Sequence, residues 1–193
     1  MSALTNTFMQ NPLQFTGQRP INSYDIVGND PTIPQFFNMD ATTHGNMVML
    51  RRAANSPLRA FYLPLAGSDA NAARITIPKT NPDRNFVFTG ALTGCSVVVT
   101  DTGNTWTVFH DRRVNAAPGT TYNGSRVAAS FQWRDYGSTN NTGGVPSATA
   151  YLMFNTTTRQ WVLVGQRQRT TPTADGREWI VTLNGSVATI PVT

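Results

Sequence analysis

From about residue 46 onward, short apolar runs recur along the chain, and Gly, Pro, Asn, Asp or Ser stands between them. Residues 46–52 (NMVMLRR) and 59–65 (RAFYLPL) read as strands, with Pro64 placing the second at an edge or at its own end. Residues 74–78 (RITIP) and 85–89 (NFVFT) follow. The clearest hairpin joins CSVVVT to TWTVFH through Asp101-Thr102-Gly103-Asn104. Residues 115–147 are loop-like, interrupted by a run at 126–133 (RVAASFQW). Two further hairpins are expected, 151–155 with 160–165 and 178–183 with 186–192. The second of these turns at Asn184-Gly185, a favoured dipeptide for a type I′ turn. Residues 1–45 are rich in Asn, Thr, Gln and Pro without a sustained helical period, and are expected to form an irregular arm or one short helix packed on the rest. About nine short strands with little helix predict a mainly β protein with minor α, a two-sheet sandwich with long loops. No internal repeat or linker divides the chain, so residues 1–193 read as one domain.

Composition supports this. With 193 residues and 39% hydrophobic content, the chain is long enough to bury a core without disulfide or metal staples. Charged residues make up 13%, and nearly all are Arg and Asp: Lys79 is the one lysine and Glu178 the one glutamate. The chain therefore lacks two good helix formers and is rich in residues that favour strands, caps and turns. Aromatic content of 10% and a net charge of +5 exclude a disordered chain. A pI near 10 is compatible with nucleic acid, but the arginines stand singly or in pairs, Arg51-Arg52 and Arg112-Arg113, so a solvated surface is expected and no nucleic-acid partner. No apolar run reaches the length of a membrane span, and the N-terminus lacks the basic start and apolar stretch of a secretory signal.

The single cysteine rules out an internal disulfide framework and a cysteine-rich zinc site, and no metal or cofactor is expected. A lone buried Cys ordinarily acts as a small hydrophobe. Its context here changes the reading. If residues 101–104 form the hairpin loop, Thr100 faces Thr105 and Cys95 faces His110, with Cβ atoms about 4.5–5.5 Å apart on one face. The same register pairs Val97 with Val108 and Val99 with Trp106, an apolar row for the core. A turn at Gly103-Asn104 would instead put Arg112 opposite Cys95; the four-residue loop gives the better apolar pairing. An imidazole beside a thiol takes its proton and leaves the nucleophilic thiolate. Gly94 admits an unusual backbone angle, and N–H groups around Gly94, Cys95 and Ser96 are candidates for stabilising an oxyanion. His44, in a Thr-Thr-His-Gly-Asn loop, is read as surface, and Trp106, Trp133 and Trp161 as core or rim aromatics.

Residues 86–111, FVFTGALTGCSVVVTDTGNTWTVFHD, resemble the catalytic core of the bacterial glutamine deamidase toxins, the cytotoxic necrotizing factors and the Burkholderia lethal factor. The shared pattern is an aromatic strand ending in Thr, Leu-small-Gly-Cys, an apolar strand, a polar turn and a strand carrying His. Thr93 stands where Ser is usual, and the match covers about 26 of the 193 residues. The resemblance implies Cys95 as nucleophile, His110 as general base and acid, and Thr89, six residues before the Cys, as an orienting group. The implied reaction is hydrolysis of a protein glutamine to glutamate through a thioester. The implied substrate is a host protein with an exposed glutamine, a Rho-type GTPase or a translation-initiation RNA helicase, reached by a monomeric toxin or effector secreted or injected into the host cytosol.

Two other classes fit the residues. One is a different Cys–His acyl-transfer enzyme, a transglutaminase or peptidase. The other is a non-enzymatic β-sandwich binding module, suggested by the Thr- and Asn-rich loops, in which Cys95 is unreactive.

Overall fold

The computed structural model describes residues 2–23, 26, 30–42, 46–68, 71–137, 144–174 and 179–193. The chain is mostly β, with two sheets forming a sandwich-like core and few helices. In chain order the elements are α1 (Ala3–Gln10), α2 (Pro12–Gln18), β1 (Ile21–Asn22), β2 (Gln35–Ala41), β3 (Val48–Arg52), β4 (Leu58–Leu63), β5 (Ala73–Pro78), β6 (Phe86–Thr89), β7 (Ser96–Asp101), β8 (Thr105–Asp111), β9 (Thr121–Tyr122), β10 (Ser125–Phe131), α3 (Trp133–Tyr136), β11 (Val145–Asn155), β12 (Gln160–Pro172), β13 (Trp179–Leu183) and β14 (Ala188–Pro191).

Among the described residues, nine strands make one sheet in the order β1-β3-β2-β4-β6-β11-β12-β13, with β14 also on β12. Five make the other, β5-β8-β7-β10-β9. Pairings are antiparallel except β1 with β3 and β4 with β6. The sandwich interior takes Ile75, Ile77, Val97, Val99, Val108 and Phe131 from the smaller sheet, and Leu63, Val87, Leu152, Trp161 and Leu163 from the larger. The predicted aromatics sit as expected: Trp106 and Trp161 are buried in this core and Trp133 packs against it.

The N-terminal arm is more regular than its composition suggests. Asn11 ends α1 and starts α2, where its side-chain oxygen accepts the Gln14 N–H at 3.1 Å and Pro12 occupies the first turn. Each helix is too short to persist alone, so burial of Phe8 and Phe15 against Phe86, Phe88 and Tyr151 has to hold them. That apolar spacing is too brief to register as a helical period. The arm also supplies β1 and β2.

The larger sheet curls so that β1 crosses the face of β11 and β12 opposite the sandwich interior. Glutamine side chains hold it there. Gln166 Nε2 donates to Thr16 O at 2.6 Å and Arg19 O at 2.7 Å, while its Oε1 accepts the Ile21 N–H at 2.8 Å. Gln168 Nε2 and Thr149 Oγ1 donate to Ile21 O at 2.7 and 2.6 Å. Met47, just before β3, and Met49 of β3 meet Val181 of β13 beside this seam.

The expected terminal hairpin does not form. Although Gly185 has φ +101°, β13 and β14 do not pair with each other; they lie end to end along β12, β13 on residues 168–172 and β14 on 162–165. The thirteen-residue β12 is longer than the predicted run, and both segments are used to satisfy its open edge, which a local hairpin would leave bare.

Candidate functional site

The β7–β8 hairpin differs from expectation by two residues. Thr102 N–H donates to Thr105 O at 3.1 Å, so the loop is Gly103-Asn104, and Val97, not Cys95, lies opposite His110. Gly103 has φ +83°, which a side chain would resist, and this suits the first position of the tight type II′ turn that matches strand twist. A slip of two leaves every side chain on its original face, so the apolar row still faces inward. Cys95 and His110 thus become diagonal rather than directly opposed neighbours, and no hydrogen bond joins the two side chains among the described residues.

The surroundings of each predicted site residue follow from this placement. His110 is fully buried. Its Nδ1 is 3.4 Å from Leu63 O, and its Nε2 has no partner among the described residues. Gly90 lies against the ring: a Cβ there would come 3.3 Å from His110 Cε1. Burial pulls the imidazole down to about 4, against the raising effect of the Leu63 carbonyl and the Asp111 charge. Cys95 is 6% exposed, and burial pushes its thiol up, a Thr93 backbone hydrogen bond and the Arg112 charge opposing. A raised thiol and a lowered imidazole both favour the neutral pair over thiolate and imidazolium.

The backbone around Cys95 is held by a residue that sequence reading did not single out. α3 is a single turn whose capping box joins Gln132 and Asp135. It lifts Tyr136, stacked on Phe131 at 5.5 Å, beneath the corner where Gly94 has φ +102°. The Tyr136 hydroxyl accepts the Gly94 and Cys95 N–H groups, both at 2.9 Å, and donates to Cys95 O at 2.9 Å. Ser96 Oγ donates to Arg113 O at 2.8 Å and accepts the Ala116 N–H at 3.2 Å, anchoring the segment that follows β8. Thr89 Oγ1 donates to Ala150 O at 2.9 Å and Gly90 O at 3.1 Å, with no bond to His110 among the described residues. The other histidine, His44, lies outside the described residues.

A second polar cluster lies on the opposite face of the smaller sheet. Asp111, fully buried, accepts from Arg113 Nη2 at 2.9 Å and from the Tyr122 hydroxyl at 2.6 Å. At the solvent end of β7, on the inward-facing side beside Trp106, Asp101 meets Lys79 Nζ at 2.7 Å and Arg126 Nη2 at 2.8 Å, and these cations hold its carboxyl down at about 2. Among the described residues, no group of three or more His, Cys, Asp or Glu side chains is placed to hold a metal ion. No helix described is long and apolar enough to cross a membrane.

Comparison with curated proteins returns no match. A family model does match, that of the Mcf1 activator-binding domain, over residues 2–191. This corrects the deamidase-toxin resemblance, which rested on one aromatic strand and one apolar hairpin, a pattern that β proteins produce readily. The Rho-type GTPase and RNA-helicase substrates were implied by that resemblance alone and fall with it. The chain belongs to the Mcf1 activator-binding domain family.

Proposed function

We propose that this domain is a non-enzymatic β-sandwich module that binds a protein partner, an activator in the sense of its family's description. The observation that carries the reading is the family match across residues 2–191. Three features of the interior favour it over acyl transfer. Cys95 and His110 are sealed in the core, their proton affinities oppose a thiolate–imidazolium pair, and the Gly94 and Cys95 N–H groups are committed to Tyr136.

The test is capture by the immobilised domain, wild type beside Cys95→Ala, with glutamine peptides of the same lysate followed by mass spectrometry. A partner held equally by both proteins, with no peptide altered, is the expected result. Glutamine peptides gaining about one dalton only when Cys95 is intact, the product of thioester hydrolysis, would overturn it.

A further inference from the structure

We propose that the outer edge of β13 is where the partner docks, by adding an extended segment of its own chain as a further strand of the larger sheet. This rests on the protein-binding reading above.

Sheet edges in natural proteins are blunted against such pairing by shortness, charge or proline. The other outer strands here follow that rule. β1 and β9 have two residues each, β5 carries Arg74 and ends at Pro78, and β14 ends at Pro191. β13 has none of these devices: Trp179-Ile180-Val181-Thr182-Leu183 is uncharged, free of proline and made of residues that favour strands.

Its backbone is set up for pairing. Asn184 N–H donates to Arg167 O at 3.0 Å. In an antiparallel ladder the bonding residues alternate, so Ile180 and Thr182 also face β12, and the N–H and C=O groups of Trp179, Val181 and Leu183 turn outward. Among the described residues no strand pairs there. The side chains offer an apolar footing. Trp179 is 56% exposed, and Val145, 52% exposed, stands on the same face at the same end, in the row Val145–Thr170–Val181. An exposed Trp beside aliphatic residues is a typical interface anchor.

Area and charge decide the occupant. Five residues present about 17 Å of strand. Edge-to-edge contact of that length between two copies falls well short of the ~800 Å² per partner of a stable interface. An extended segment, by contrast, takes its affinity from main-chain bonds and a few side-chain pockets. The chain carries 15 Lys and Arg against 10 Asp and Glu, and the half-buried Arg167 stands on β12 opposite Asn184, at one end of the β13 edge. The fitting segment therefore alternates apolar residues and is flanked by Asp or Glu.

The whole domain, isotope-labelled for amide hydrogen exchange, is tested with a display library of random linear twelve-residue peptides. In the free domain the amides of Trp179, Val181 and Leu183 should exchange rapidly while Ile180 and Thr182 are protected. Selected peptides should show the alternating, acid-flanked pattern and slow exchange at those three amides. Trp179→Lys and Thr182→Lys should each weaken binding at least about tenfold with melting behaviour retained, and Thr76→Lys on β5 should not. Protection of the three amides in the free domain, binders that protect a different surface, self-association through the same amides, or no enriched peptide would each overturn the edge assignment. If a partner protein is still captured in any of those cases, the binding-module reading stands and only its placement on β13 falls.

Discussion

The Tyr136 hydroxyl accepts the Cys95 N–H and donates to the Cys95 carbonyl, both at 2.9 Å, so one phenol closes the backbone of the residue that sequence reading marked as a nucleophile. It also takes the Gly94 N–H. Because Tyr136 is 1% exposed, no water is at hand to replace it. Tyr136→Phe would therefore strand the two buried backbone groups of Cys95 and the part-buried Gly94 N–H, at about 1–3 kcal/mol for an unsatisfied buried group. The expected loss is about 3 kcal/mol by urea denaturation, with Cys95→Ala clearly milder. Equal losses in the two variants would contradict this role for the hydroxyl.

Stability should fall on mild acidification because of His110. Its folded value, about 4, lies below the ordinary 6.5, so between these pH values the unfolded chain binds a proton that the folded one excludes. The contribution is complete above about pH 6.5 and declines as the pH drops towards 4, by about 3 kcal/mol over the whole span. Denaturation midpoints taken from pH 7 to 4.5 should show this slope. A fold-preserving His110→Gln variant should show less of it.

The Cys95 thiol should resist alkylation at neutral pH. Burial both shields it and raises its proton affinity, while the thiolate is the reacting form. Iodoacetamide labelling followed by mass spectrometry should be slow in buffer and rapid in denaturant. Fast labelling of the native protein at pH 7 would mean an accessible thiolate, and would return the enzymatic reading to contention.

Gln166 is expected to hold the N-terminal segment in place. Gln166→Ala removes the partners of Thr16 O, Arg19 O and the Ile21 N–H together. A loss of about 2–4 kcal/mol is expected, with α1 and α2 released and melting, since helices of eight and seven residues do not persist alone. Limited proteolysis should then cut within residues 2–20 before the body of the domain, and the circular dichroism signal of helix should drop.

Most strands were legible because their cues are local. Alternation and turn residues marked β3 to β8 and β10 within a few residues, and the turn end of the β11–β12 hairpin, whose strands run six and seven residues beyond the expected 151–155 and 160–165. The inward face of Cys95, Val97 and Val99 was equally legible, because side-chain direction in a strand depends only on parity. Register was a different matter. A slip of two preserves every face, so the hydrophobic pattern could not tell a four-residue loop from the tight turn at Gly103-Asn104, and the pairing of His110 rested on that difference.

By itself, then, the amino-acid order determined a mainly β chain, its strand segments and which side chains face inward, all consequences of period and turn chemistry acting over a few residues. Tertiary structure decided the rest: that β13 and β14 share the edge of β12 rather than each other, that Tyr136 reaches Cys95 from 41 positions away, and that glutamines on β12 hold the arm. Those outcomes depend on which distant groups meet and satisfy one another's hydrogen bonds, and no local pattern carries that information.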